Sequence, residues 1–146
     1  MFPPLTLPAF ECKLTEIAGK PHIYCLVRRK HLVLTPEEWV RQHFINLLST
    51  RYEYPLALMR IEGGLRLNRL AKRTDLVVYD REGRPFLVLE CKAPTVRLTP
   101  AVLEQAARYN HVLQAPYLAV SNGMDHFCFQ VSAEGLKRMG DLPIFL

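Results

Sequence analysis

Residues 73–92 read RTDLVVYDREGRPFLVLECK. Two apolar runs, Leu76 to Tyr79 and Phe86 to Leu89, have the length and β-branched content of buried strands. Between them Glu82-Gly83 serves as a two-residue turn. With that turn, paired positions sum to 165, so Arg81 is expected opposite Arg84, Tyr79 opposite Phe86, Val77 opposite Val88 and Asp75 opposite Glu90, with Lys92 opposite Arg73. Side chains alternate along a strand, so Glu90 and Lys92 share one face and Cys91 points to the other. Directly opposed residues have β-carbons about 4.5–5.5 Å apart, which brings the Asp75 and Glu90 carboxylates together beside an ammonium.

Two like charges opposite one another destabilise a sheet, and carboxylates next to buried strands also lose solvation. Arg73 and Lys92 can offset part of that cost. A divalent cation does so better, because Mg²⁺ characteristically sits on one or two carboxylates and completes its shell with water and phosphate. A metal held by Asp75 and Glu90, with Lys92 beside it, is the chemistry of phosphodiester hydrolysis. The bland alternative is a solvated cluster of strand-end ion pairs.

Outward from this hairpin, the chain has the dimensions of one domain. Its 146 residues are 49% hydrophobic and 23% charged, ordinary globular usage that excludes disordered and fibrous classes. Nineteen Lys plus Arg against fourteen Asp plus Glu give +5, with Arg28-Arg29-Lys30, the quartet Arg66, Arg69, Lys72 and Arg73, and the pair Arg81 and Arg84 holding most of the excess. This suits a polyanionic partner without establishing one, since such clusters also occur as solvated loops. The four cysteines, Cys12, Cys25, Cys91 and Cys128, form no Cys-x-x-Cys and no zinc spacing with histidine. Cys12 and Cys25 flank an expected hairpin turn and are candidates to face each other. Neither a signal peptide nor a membrane span is read, so a cytoplasmic setting is expected. The histidines and serines form no H-E-x-x-H and no G-x-S-x-G, which argues against other hydrolase classes.

The elements around the hairpin are legible from caps and periodicity. An extended Pro-rich arm leads to strands at Cys12–Ile17 and His22–Val27, joined through Ala18-Gly19-Lys20-Pro21. In LTPEEWVRQHFINLLSTRY, Thr35 caps a helix over Pro36 to Ser49 with Glu38 three residues on to close a capping box. Val40, Phe44, Leu47 and Leu48 line its buried face, and Glu37 lies on that face one turn earlier. Leu56 to Glu62 reads as a strand. Thr99-Pro100 opens a second helix to Leu113, with Val102, Ala106, Tyr109 and Leu113 on its apolar face and Gln105 beside them. Strands at Tyr117–Ser121 and Phe127–Val131 follow around an Asn122-Gly123 turn, and the tail from Ala133 is ambiguous with a brief helix the nearest pattern. The order predicts an α/β or α+β fold: a central mixed sheet flanked by helices, with an arm and hairpin over 1–30 added to a core over 35–131.

Asp followed at this distance by Glu-x-Lys at a strand end resembles the PD-(D/E)XK nuclease superfamily. More closely, LTPEEWVRQHF, KRTDLVVYD, VLECKAP, EQAARYN and PYLAVSNG resemble, in order over roughly residues 22–131, the amino-terminal domain of the type I restriction enzyme R subunit. The resemblance implies a restriction-endonuclease-like core, a Mg²⁺- or Mn²⁺-dependent DNA endonuclease activity, metal-binding carboxylates at Asp75 and Glu90, and Lys92 as the catalytic lysine. It adds a helix glutamate, for which the helical face selects Glu37, and a Gln-x-x-x-Tyr motif at Gln105 and Tyr109, placed to support the site or touch the DNA backbone together with Lys72 and Arg73. Tyr109 as a plain core residue bonded to Gln105 is the alternative. Thr74 stands where the superfamily has its proline. An R subunit also carries an ATP-driven translocase, and no G-x-x-x-x-G-K-[ST] occurs here, so ATP hydrolysis is not expected of these residues. The implied partners are DNA, other restriction-modification subunits and a second copy of the chain, since a small nuclease has two strands to cut. The alternative function is a non-cleaving nucleic-acid-binding or assembly module.

Overall fold

In the computed structural model, which describes residues 2–61 and 76–146, nine strands form two sheets. The smaller is antiparallel: β1 (Leu14–Ile17), β2 (Lys20–Cys25) and β3 (Lys30–Val33). The larger contains β4 (Met59–Ile61), β5 (Leu76–Tyr79), β6 (Pro85–Cys91), β7 (Tyr117–Ser121), β8 (His126–Ser132) and β9 (Gly135–Met139), hydrogen-bonded in that order. Every neighbouring pair in it is antiparallel except β6 and β7, which run parallel and are joined by a crossover containing α2 (Pro100–Leu113). This is an α+β architecture with a mixed sheet, as the element order predicted.

Both helices start as their sequence grammar dictates. Thr35 Oγ1 accepts from the Glu38 amide at 3.0 Å and Thr99 Oγ1 from the Val102 amide at 3.3 Å, with Pro36 and Pro100 in the first turns. The helix α1 (Pro36–Thr50) lays Val40, Phe44, Ile45 and Leu48 against Leu76, Val78, Leu87, Leu89 and Cys91. On the other face of the sheet, Ala106 and Tyr109 of α2 join Val77, Val88, Leu118 and Val120. Leu87, Val88 and Leu89 are fully buried because β6 is covered on both faces, which is why its sequence is a continuous apolar run rather than an alternating one.

Several expected elements differ in detail. The amino-terminal hairpin turns at Ala18-Gly19 alone, with φ of 52° and 80°, the paired positive values a two-residue turn needs and the reason a glycine stands there. The hairpin also has a third strand, β3, in a stretch whose basic start looks like a loop. Cys12 and Cys25 are both free thiols: Cys12 Sγ donates to the Phe10 carbonyl at 3.6 Å, and Cys25 Sγ accepts from the Arg28 amide at 3.3 Å. Where Leu56–Glu62 was expected to be a strand, a 3₁₀ turn at Leu56–Leu58 precedes the short β4. The tail is a strand, β9, rather than a helix, and Gly135 to Met139 pair with Ser132 back to Cys128. Tyr79 lies opposite Pro85, not Phe86. Here Asp80 Oδ1 accepts from the Glu82 and Arg84 amides at 2.9 Å each, and the Asp80 amide donates to the Arg84 carbonyl at 2.7 Å. An aspartate turn therefore widens the loop beyond Glu82-Gly83 and shifts the register by one at its base.

The extended arm is pinned to the β7–β8 turn. The Thr6 amide donates to the Gly123 carbonyl at 2.9 Å, and His126 bridges Thr6 Oγ1 and Ser121 Oγ at 2.8 Å to each ring nitrogen. Gly123 has φ of 86°, which favours glycine, and a β-carbon there would meet Leu5 Cδ2 at 2.7 Å, so any other residue would make the Leu5 side chain shift. Burial lowers the pKa of His126 from its usual value, and it does the same to His43. Both histidines are held neutral in the fold, while the unfolded chain takes up protons near pH 6.5. Stability is therefore retained above about pH 6.5 and falls as the pH drops below it, down to the folded-state values. Thermal unfolding should show a falling midpoint between pH 7.5 and 5.5, and His126→Gln should flatten that slope.

Candidate functional site at the end of strand β6

The alternation of β6 decides which way its terminal residues point. Leu87, Leu89 and Cys91 belong to the core beneath α1, and Val88 to the core beneath α2. Glu90 is thus turned to the α2 side and Cys91 away from it, as read from the hairpin. Glu90 is 2% exposed, an uncommon burial for a carboxylate, and its Oε2 lies 3.0 Å from Lys92 Nζ. The Lys92 side chain is 27% exposed, so the pair has one end in the protein and one in solvent. The Lys92 amide donates to the Ser121 carbonyl at 2.8 Å, tying the residue that follows β6 to the end of β7.

The hairpin register is observed over Leu76–Leu89, Val77–Val88 and Val78–Leu87. Asp75, Arg73 and Lys72 lie outside the described residues, and with them the expected Asp75–Glu90 pairing. Tyr109, 8% exposed, packs in the same apolar cluster as Val88, while Gln105 one turn earlier on α2 is exposed. The motif residues therefore stand on the helix covering the Glu90 face.

Glu37 is half-buried on α1, whose apolar face packs on the opposite side of the sheet from Glu90. The buried acid of that helix is its neighbour Glu38, 5% exposed. Its carboxylate accepts from Arg41 Nε at 3.0 Å and Gln42 Nε2 at 2.7 Å, with Arg41 Nη2 bonded to the other oxygen. Gln42 Oε1 in turn accepts from the Leu26 amide at 3.1 Å, which fastens the β2–β3 turn to α1. The capping box is accordingly half-formed: Thr35 serves the Glu38 amide, but the Glu38 side chain is engaged further along the helix. Sequence reasoning missed this cluster, although Glu-x-x-Arg-Gln at helical spacing carries the signal.

Asn122 was read only as a turn residue. It is 4% exposed, donates to the Val96 carbonyl at 2.8 Å and accepts from the Met124 and Asp125 amides, so it joins the loop after Lys92 to the β7–β8 turn. Among the described residues, no three His, Cys, Asp or Glu side chains gather as a ready metal cage. A cavity of about 570 Å³ lined by Phe44, Leu47, Tyr52, Phe127, Cys128 and Arg138 lies on the α1 side, away from the chemistry of Glu90. None of the described helices is long and apolar enough to cross a membrane.

No curated protein matches the chain at a significant level. Residues 36–143, well over half of the chain, match the family described as the type I restriction enzyme R protein N terminus (HSDR_N). The match runs from the first turn of α1 through every strand of the larger sheet, and the chain therefore belongs to the type I restriction enzyme R protein N-terminal family.

Proposed function

We propose that the chain is a Mg²⁺- or Mn²⁺-dependent DNA endonuclease domain of the PD-(D/E)XK type, with Asp75 and Glu90 as metal-binding carboxylates and Lys92 as the catalytic lysine. The observation that carries this is the burial of Glu90 at the end of a central strand with a half-open lysine against it. A fully buried carboxylate is costly to keep for structure alone when its one-step neighbour could be apolar, as the rest of β6 is. Asp75 precedes Leu76 in the chain, and Leu76 is the ladder partner of Leu89. Two carboxylates are a donor set on which Mg²⁺ commonly rests.

When bound, the cation supplies Lewis acidity that acidifies water and screens charge developing on a phosphate. Glu90 contributes a fixed, desolvated carboxylate. Lys92 is exposed enough to turn its ammonium from Glu90 toward a phosphate oxygen, where it offsets charge in the transition state. Tyr109 packs under that face, and Gln105, Lys72 and Arg73 are the proposed backbone contacts.

The test is a supercoiled plasmid incubated with the chain and Mg²⁺ or Mn²⁺. Nicked product should form with either ion, vanish with a chelator, and fall by about 10²-fold or more in Lys92→Ala while DNA binding persists. Salt-dependent DNA binding with no product under either ion would favour a non-cleaving assembly module working with other restriction subunits.

A further inference from the structure

We propose that the outer face of the amino-terminal three-stranded sheet is a docking surface for the phosphate backbone of duplex DNA, separate from the Glu90 site. Strands β1 to β3 precede residue 36, where the family match begins, so the match does not cover this sheet. The family serves only to select DNA among polyanions.

The inner face of the sheet is fixed by Ile23 and Cys25, both fully buried. Alternation then puts Lys20, His22 and Tyr24 on the outer face. Their ladder partners follow: Thr15 and Val33 flank His22, and His31 lies opposite Tyr24. Lys13 completes the row, since the Tyr24 amide donates to its carbonyl at 2.9 Å and its ammonium stands 5.4 Å from the Tyr24 ring centroid. The β2–β3 turn adds exposed Arg29 at the end nearest that row and exposed Arg28, whose Nη2 also donates to the Ile61 carbonyl at 3.2 Å, while exposed Lys30, opposite Cys25, alternates to the inner side. Glu16 alternates to the inner side. Residues 11–33 thus hold five Lys or Arg (Lys13, Lys20, Arg28, Arg29, Lys30) against Glu11 and Glu16, a net +3 out of the chain's +5.

Charge of this kind on a flat sheet suits a polyanion, and the ring geometry selects duplex over single-stranded DNA. Single strands are held by bases stacked on open aromatic faces. Tyr24 offers little, because the Lys13 ammonium stands over one ring face at 5.4 Å and His31 packs against the ring at 5.4 Å and 71°. Lys13 and Lys20 are exposed and can instead meet phosphates. A four-residue strand is about 14 Å long, against which duplex DNA presents roughly eight phosphate charges.

The test measures binding of a fluorescent duplex to the full chain in chelator, so that cleavage plays no part and failure of the nuclease assignment leaves it readable. The triple variant Lys13→Ala, Lys20→Ala, Arg29→Asn uses asparagine because Arg29 has φ of 58°, which asparagine tolerates. It should bind at least about tenfold more weakly at low salt, and its slope of log K against log salt should be shallower by about 2 to 3. The pair Lys13→Gln, Lys20→Gln, which keeps side-chain length should the triple variant fold poorly, should lower the slope by about 2. The control Arg51→Ala, Lys137→Ala, Arg138→Ala removes the same charge from other exposed positions and should lose distinctly less. Unchanged binding, an equal loss in the control, or a loss confined to single strands would each overturn the proposal.

Discussion

Glu90→Gln should abolish metal-dependent nicking of DNA, by about 10³-fold or more, while leaving the fold intact. Glutamine keeps the shape of the side chain and removes its charge. If Glu90 is a metal-binding carboxylate, the loss falls on catalysis, because a neutral amide is a poor ligand for a hard cation. If it is merely a strand-end ion pair, the loss falls on stability alone. Two effects on stability oppose one another. The charge-assisted contact to Lys92 at 3.0 Å is lost, worth about 1.5–3 kcal/mol at most, and the desolvation of a carboxylate 2% exposed is relieved. Lys92, with its side chain 27% exposed, can rehydrate, so the net change should stay within about 1–2 kcal/mol. Plasmid nicking and urea unfolding measured on the same preparation separate the outcomes. Full activity in a folded Glu90→Gln protein would remove Glu90 from the site.

The hairpin that carries Glu90 was readable because its strands hold apolar residues on both faces, so only the turn chemistry had to set the register. That register is found at Leu76, Val77 and Val78, and slips only at Tyr79. The slip comes from the Asp80 side chain, whose two bonds to loop amides are invisible to a rule that counts loop residues. Helix starts were legible for the opposite reason: Thr-Pro is a local signal that tertiary packing did not override. Strands β3 and β9 were missed because their residues are almost all exposed, Lys30 to Val33 and Gly135 to Met139, and a strand without a buried face has no period to detect. At the site, Glu90, Lys92 and the orientation of Cys91 followed from alternation. The burial of Glu38 did not, since a capping box and a buried ion pair both call on the Glu38 side chain, and only the packing of the β2–β3 turn on α1 decides between them.

Glu38→Ala should accordingly be the most destabilising substitution among the charged residues described, at about 3–5 kcal/mol. The Glu38 carboxylate accepts two bonds from Arg41 and one from Gln42, all in a region where Glu38 is 5% and Arg41 2% exposed. Removing it strands part of a guanidinium that stays charged at any accessible pH and cannot reach bulk water without unpacking α1. Gln42 also loses the bond that orients its amide, and with it the fit of Oε1 to the Leu26 amide. The damage should spread to the amino-terminal sheet, which that bond joins to the core. Replacing Glu38 and Arg41 together, for instance by Gln and Met, should cost less than Glu38→Ala alone, because breaking a buried pair is worse than deleting it. Urea unfolding of the single and double variants gives the comparison directly. A single variant within about 1 kcal/mol of wild type would show that water already reaches Arg41.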